Sequence, residues 1–238
     1  MNKNGLFLSW LVFFFIGAVG LSAQINGGTY ERTTAFDGKE IKYVLMVSGD
    51  YFSWTAYYSN DGQFIATKGG SHEVKSDKLY FNYEFDTADT AMVGRSESHN
   101  YAMKGKNLTI DNVKWKLVDA GKNSPIDGPW LISGRKRGDE IVKRNTDRPR
   151  KTMKILTATR FQWIAYNVAT KQFMGTGGGT YTAENGKYIE NIEFFSRDKS
   201  RVGASLDFMF EVKNGDWHHS GKSSKGDPIY EVWSKRSK

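Results

Sequence analysis

The chain contains no cysteine in 238 residues. That excludes disulfides, a lipid-anchored cysteine, thiolate metal sites and thiol nucleophiles. Stability must then come from the core alone. Proline is scarce, with four residues. After residue 23 no segment carries an apolar stripe of helical period, which argues against a helical fold. No second long apolar run follows, so no membrane span is expected beyond the N-terminus. What is abundant instead is aromatic side chains, 14% of the chain, and glycine, 25 residues. Apolar and polar residues alternate over short stretches, punctuated by Gly, Asn and Asp. That pattern, with its aromatic richness, is the mark of β-strands.

The first residues read differently. Lys3 gives a positive start, an apolar run extends from Leu6 to Val19, and Leu21-Ser22-Ala23 closes it with small residues. This layout predicts a secretory signal cleaved after Ala23, and hence a secreted or periplasmic protein. The alternative is an uncleaved anchor, since the run nearly spans a bilayer.

Residues 52–94 repeat at 161–203, shifted by 109 positions without a gap. Phe52-Ser-Trp54-Thr-Ala56-Tyr57 returns as Phe161-Gln-Trp163-Ile-Ala165-Tyr166, and Glu84, Phe85, Asp89, Val93 and Gly94 also recur. The chain is therefore a tandem duplication of a domain-sized unit. We divide it into a signal peptide (1–23), a first unit (24–119), a turn-rich linker (120–127) and a second unit (128–238). Strands are expected near 28–36, 42–49, 51–58, 64–74, 79–86, 92–103, 107–111 and 113–118. The second unit should repeat them near 128–134, 151–158, 160–168, 173–183, 188–196, 202–212, 216–220 and 229–236. Asn60-Asp61-Gly62, Asn185-Gly186 and Asn214-Gly215 supply hairpin turns between the runs. The expected fold class is all-β: two tandem eight-stranded antiparallel up-and-down barrels, with no exposed sheet edges. A pair of β-sandwiches is the alternative.

Charge is unevenly shared. Residues 24–127 hold 12 Lys/Arg against 14 Asp/Glu, whereas residues 128–238 hold 21 against 12. The excess gathers in Arg135, Lys136, Arg137, Lys143, Arg144, Arg148, Arg150 and Lys151. This reads as a solvated loop, or as a contact for an anionic surface or polymer. No nucleic-acid-binding motif accompanies it.

Gly128-Pro129-Trp130 opens the second unit, and Arg236 lies at its last strand. This resembles the lipocalin (calycin) signature, in which a basic residue of the last strand covers a Gly-x-Trp on the first. Gly28-Thr29-Tyr30 with Lys116 is a weaker version. Gly175-Thr-Gly-Gly-Gly-Thr-Tyr181 and Glu231-Val-Trp233 also resemble lipocalin-like secreted proteins of bacteria. The resemblance implies a barrel able to hold a small apolar or amphipathic ligand, and Trp130 packed under Arg236. It supplies no catalytic set.

Comparing the copies separates the faces. Leu79, Phe81, Tyr83 and Phe85 form an apolar face that should point inward. Its counterparts are Tyr188, Glu190, Ile192 and Phe194. On the last strands, Val113, Trp115 and Leu117 answer to Glu231, Trp233 and Lys235, and Leu108 and Ile110 to Trp217 and His219. The second unit thus exchanges apolar residues for Glu190, His219 and Glu231. Buried carboxylates must pair, meet water or serve a ligand. Tyr188, Glu190, Trp217, His219, Glu231 and Trp233 are therefore the candidate ligand site. Phe161, Trp163, Leu206, Phe208, Phe210 and Val212 read as core, and Glu84 and Glu193 as outward, pair-stabilising scaffold.

No cofactor and no metal are expected. Gly175–Gly179 lacks the Gly-Lys-Ser/Thr ending of a phosphate loop and has no helix behind it. His218 and His219 are adjacent on a strand, so they face opposite ways. Three functions remain open. The first is an exported protein binding a small amphipathic or sugar-like ligand in the second barrel, beside a better-filled first. The second is a hydrolase or other enzyme using Glu190, Glu231 and His219. The third is a structural envelope protein with a basic surface.

Overall fold

The computed structural model describes residues 25–121, 124–223 and 226–237. The proposed signal peptide lies outside them. The first unit comprises β1 (Gly28–Phe36), β2 (Lys39–Ser48), β3 (Tyr51–Tyr58), β4 (Phe64–Lys75), β5 (Lys78–Asp86), β6 (Ser96–Lys104), β7 (Asn107–Ile110) and β8 (Val113–Asp119). These eight antiparallel strands pair in sequence order, and β8 closes on β1. The second comprises β9 (Gly128–Arg137), β10 (Glu140–Lys143), β11 (Arg150–Leu156), β12 (Arg160–Asn167), β13 (Gln172–Glu184), β14 (Lys187–Phe195), β15 (Ser205–Lys213), β16 (Asp216–Lys222) and β17 (Pro228–Lys235). Here β9 and β11–β17 form the closed eight, with β17 on β9, and β10 is an extra ribbon on the end of β9. Two up-and-down barrels are thus the fold, and the sandwich alternative is excluded.

The residues shared by both copies have structural reasons. Gly69-Gly70 and Gly178-Gly179 sit at register shifts between β4 and β5 and between β13 and β14. A Cβ on Gly70 would collide with the Asn82 carbonyl, and one on Gly179 with that of Asn191. Bulges of this kind bend a strand so that a small sheet can close. Asp89 and Asp198 cap matching 3-10 turns at Thr90–Met92 and Lys199–Arg201, accepting from Ala91 N (2.9 Å) and Ser200 N (3.0 Å). Gly94 and Gly203 follow at φ +85°. Because of these turns, β6 and β15 begin several residues later than the sequence pattern suggested.

Two other expectations need correcting. The basic run is not one loop: Arg135–Arg137 extend β9, Glu140–Lys143 form β10, and Arg150 and Lys151 open β11. The hairpin is an insertion. Tyr30 pairs with Leu45, fifteen residues on, whereas Trp130 pairs with Lys154, twenty-four residues on. The second unit therefore carries nine extra residues here. The lipocalin pairing is also altered. Lys235, not Arg236, is the residue over Trp130, with Nζ 4.7 Å from the ring. Arg236 instead stacks on Tyr51 (4.1 Å) and donates to Glu84 (2.6 Å) and Tyr166 (3.0 Å). A register shift between Val232 and Trp233 offsets the pairing of β17 with β9 and sets Lys235 opposite Trp130. In the first barrel Lys116 faces out, and Leu117 pairs with Tyr30.

The barrels pack against each other through their outer faces. Val44, Met46, Tyr57, Phe85, Met153, Ile155, Ile164, Tyr166 and Phe194 belong to one buried cluster that neither barrel could close alone. Phe85 and Phe194, expected inside their barrels, lie in this cluster. The contacts obey a pseudo-two-fold rule, as in an isologous dimer. Tyr57 donates to Glu193 and Tyr166 to Glu84, positions related by the 109-residue shift. Phe64 stacks on its own counterpart Phe173, with centroids 6.1 Å apart. The repeated Glu84 and Glu193 are therefore interface residues.

Candidate functional site

The site is the interior of the second barrel, and four strands supply its charges. β11 contributes Lys154, β14 Glu190, β16 His219 and β17 Glu231, and all four are buried. Lys154 Nζ lies 2.7 Å from Glu190 Oε1, which also accepts from Tyr188 OH at 2.9 Å. The ammonium faces an aromatic wall: it is 5.0–5.3 Å from the rings of Trp217, Tyr188 and Trp233. Cation–π attraction of that kind offsets part of the cost of desolvating it. Glu231 takes a hydrogen bond from Arg135 Nη2 at 2.7 Å. Its other oxygen stands 3.6 Å from His219 Nδ1.

His219 is 2% exposed, and neither ring nitrogen makes a hydrogen bond. The indole N–H groups of Trp217 and Trp233 are likewise buried without an acceptor. Burial pushes the imidazole pKa down, and the Lys154 charge pushes it further, so His219 is neutral at pH 7. Burial alone would raise Glu231, but His219, Lys154 and Arg135 outweigh it and hold the carboxyl at about 2.

A cavity of about 340 Å³ opens beside these groups. Glu190, His219, Glu231 and Trp233 line it, with Lys154, Trp163, Phe195 and Phe208. Tyr188 and Trp217 are fully buried against the lining aromatics, with Trp217 6.0 Å from Trp233. All six residues picked from the sequence thus meet in one interior. Four that matter were not picked. Lys154 stands where the first barrel has Leu45, and the same copy comparison that exposed Glu190 would have found it. Arg135 and Arg150 reach the cavity mouth although they read as loop. Trp163, read as core, lines the cavity.

Some expected core positions are not core. Val113, the counterpart of Glu231, is 40% exposed, as is Val212 at the end of β15. His218 faces away from His219 and meets Tyr230 OH at 2.9 Å. The first barrel is not the better-filled copy either: it holds a cavity of about 430 Å³ lined by Tyr43, Trp54, Lys68 and Glu97. At the positions matching Lys154, Glu190 and His219, however, it carries Leu45, Phe81 and Ile110, all buried. Among the described residues, no group of three His, Asp or Glu side chains is placed to hold a metal ion. No protein-family model and no curated protein sequence matches the chain.

Proposed function

We propose that the protein is a lipocalin-like binding protein whose second barrel holds a small amphipathic ligand. One observation carries the reading. Lys154, Glu190 and His219 are buried beside a cavity at positions where the sister barrel uses Leu45, Phe81 and Ile110. Burying ion pairs seldom stabilises a fold relative to apolar packing. An open, aromatic-lined cavity with a few polar groups is instead what ligand sites present, typically at ~300–1,000 Å³. The leader-like first 23 residues support a role outside the cytoplasm.

The enzymatic reading is less well supported. Glycoside chemistry needs one carboxyl held protonated. Glu231 is held ionised, and Glu190 is committed to Lys154. Native mass spectrometry of protein purified from its own host tests the proposal. A small molecule should be retained, and it should be lost when Lys154→Leu, Glu190→Phe and His219→Ile together replace the polar groups by the apolar ones of the first barrel. A ligand that survives the triple change would place binding elsewhere.

A further inference from the structure

We infer that the ligand of the second barrel is an anionic amphiphile, its acidic head held by Arg144 and Arg150 and its apolar body laid along Trp163, Phe195, Phe208 and Trp233. This rests on the binding reading above and narrows it to one chemical class.

The argument is an accounting of charge around the cavity. Inside, Lys154 is matched by Glu190. Nearer the mouth, Arg135 is matched by Glu231. Each cation deep in the site therefore already has its anion. Arg150 also lines the cavity. Arg144 and Arg150 share a small adjoining cleft with Lys151 and Thr152. Neither Arg144 nor Arg150 has a carboxylate within ion-pair distance among the described residues, and both are exposed. Partial burial, and then the neighbouring charges of Arg135 and Arg150, lower the Arg144 pKa, with Glu231 opposing them. A fold gains nothing by gathering guanidinium groups that repel, whereas an incoming carboxylate or phosphate would relieve the repulsion and accept paired N–H donors.

The geometry of the insertion agrees. The nine residues that the first barrel lacks carry β10 and Arg144 to this mouth, and Arg150, on β11, stands where the first barrel has Ile41. The first barrel has no such hairpin, and the charged lining of its cavity includes Asp86, Asp89 and Glu97 beside Lys68. The anion preference should therefore belong to the second barrel alone. The cavity walls beyond the charges are aromatic and aliphatic, with Ile192, Leu206 and Ile229 completing them. A bare inorganic anion would leave that surface unused.

The test is titration of the full-length protein with decanoate, decyl phosphate and decanol below their micellar concentrations. Tryptophan fluorescence and calorimetry report binding. Both anions should bind about tenfold or more tightly than decanol, the effect of one charge-assisted contact. Arg144→Gln/Arg150→Gln should erase that preference, bringing the affinities for both anions down to that for decanol. Lys136→Gln, which removes a nearby charge that does not line the cavity, should change nothing. Both arginines are exposed, so circular dichroism should show the double variant folded. Decanol binding as tightly as the anions would overturn the anionic class and leave the apolar cavity standing. A preference that persists in the double variant would overturn the assignment to Arg144 and Arg150. No binding of any of the three would count against the cavity reading itself.

Discussion

The two barrels share a fold and an outer face but differ inside. Where they touch, the duplication has been kept: Tyr57 with Glu193 mirrors Tyr166 with Glu84, and Phe64 meets Phe173. Within the barrels it has been abandoned: Leu45, Phe81 and Ile110 became Lys154, Glu190 and His219, or the reverse. The shared features are those that any folded copy needs, such as bulge glycines, turn caps and the surface that holds the pair together. The divergent positions are those where the second barrel buries Lys154, Glu190 and His219 among its aromatic side chains. Comparing the repeats thus separates what both folded copies need from what one of them alone carries.

The most damaging way to probe that difference is to halve the new ion pair. Lys154→Leu restores the residue of the first barrel but strands Glu190 in the interior. The expected cost is about 3–5 kcal/mol, read as a lower urea midpoint. A lone Glu190→Phe should be costly for the same reason, because it strands Lys154. Lys154→Leu with Glu190→Phe should recover most of the loss and can exceed the parent, since the sister barrel is packed that way. If the double change is as harmful as either single change, the pair is structural, and the contrast between the barrels says nothing about ligand.

The barrels themselves were legible because alternation, turn residues and the 109-residue repeat all pointed to one answer. What was missed has specific causes. Lys154 obeys the 109-residue shift, but from 150 to 160 only Lys151 matches its counterpart, Lys42, so the recurring block begins after it. β10 is four residues long, and all four are exposed, so it carries no alternation to detect. The interface residues Phe85 and Phe194 read as barrel core because sequence does not say whether an apolar face is covered by its own barrel or by its neighbour. Lys235 and Arg236 were confused because a register shift in β17 changes which of two adjacent basic residues meets Trp130. Within the candidate site, the six residues found all lie on β14, β16 and β17, whereas Lys154 lies on β11, where its counterpart Leu45 is just as apolar.

Next in size is the face where the copies agree. Arg236 is buried against Glu84 and Tyr166, and its removal leaves Glu84 without its cation in the interface. Arg236→Ala should cost about 2–4 kcal/mol in chemical denaturation. Residues 128–238 expressed alone would expose half of the shared cluster. That fragment should self-associate through the pseudo-two-fold face, with Tyr166 of each copy near Glu193 of the other. Sedimentation showing a stable monomer would mean that the interface contributes little.

A smaller difference should appear with pH. Glu231, ordinarily near 4.5, is held at about 2, so its contribution is complete above 4.5 and is lost as pH falls toward 2. His219 is lowered from 6.5, so the unfolded chain binds its proton more readily, and stability again falls on acidification, beginning near 6.5. Both signs agree. Together they should remove about 1–2 kcal/mol between pH 7 and pH 4. His219→Ile with Glu231→Val, which copies the first barrel, should flatten that part of the profile relative to the parent. An unchanged slope would show that other groups govern the acid response.

The smallest effect concerns the lid over Trp130. Lys235 Nζ sits 4.7 Å over that indole and donates to the Asp127 carbonyl at 2.8 Å. The first barrel has Leu117 at the matching place, beside Tyr30. Lys235→Leu should therefore be nearly neutral, since it trades a cation–π contact for apolar cover. Lys235→Ala loses both and should cost about 1 kcal/mol, seen as a small drop in the thermal midpoint. Ligand binding should be unaffected by either change, because Lys235 does not line the cavity. If Lys235→Ala instead destabilised as strongly as Arg236→Ala, covering Trp130 would matter as much as joining the barrels. The first barrel, which lacks a cation there, would then have to be the weaker of the two, and hydrogen exchange in β1 and β9 would show it.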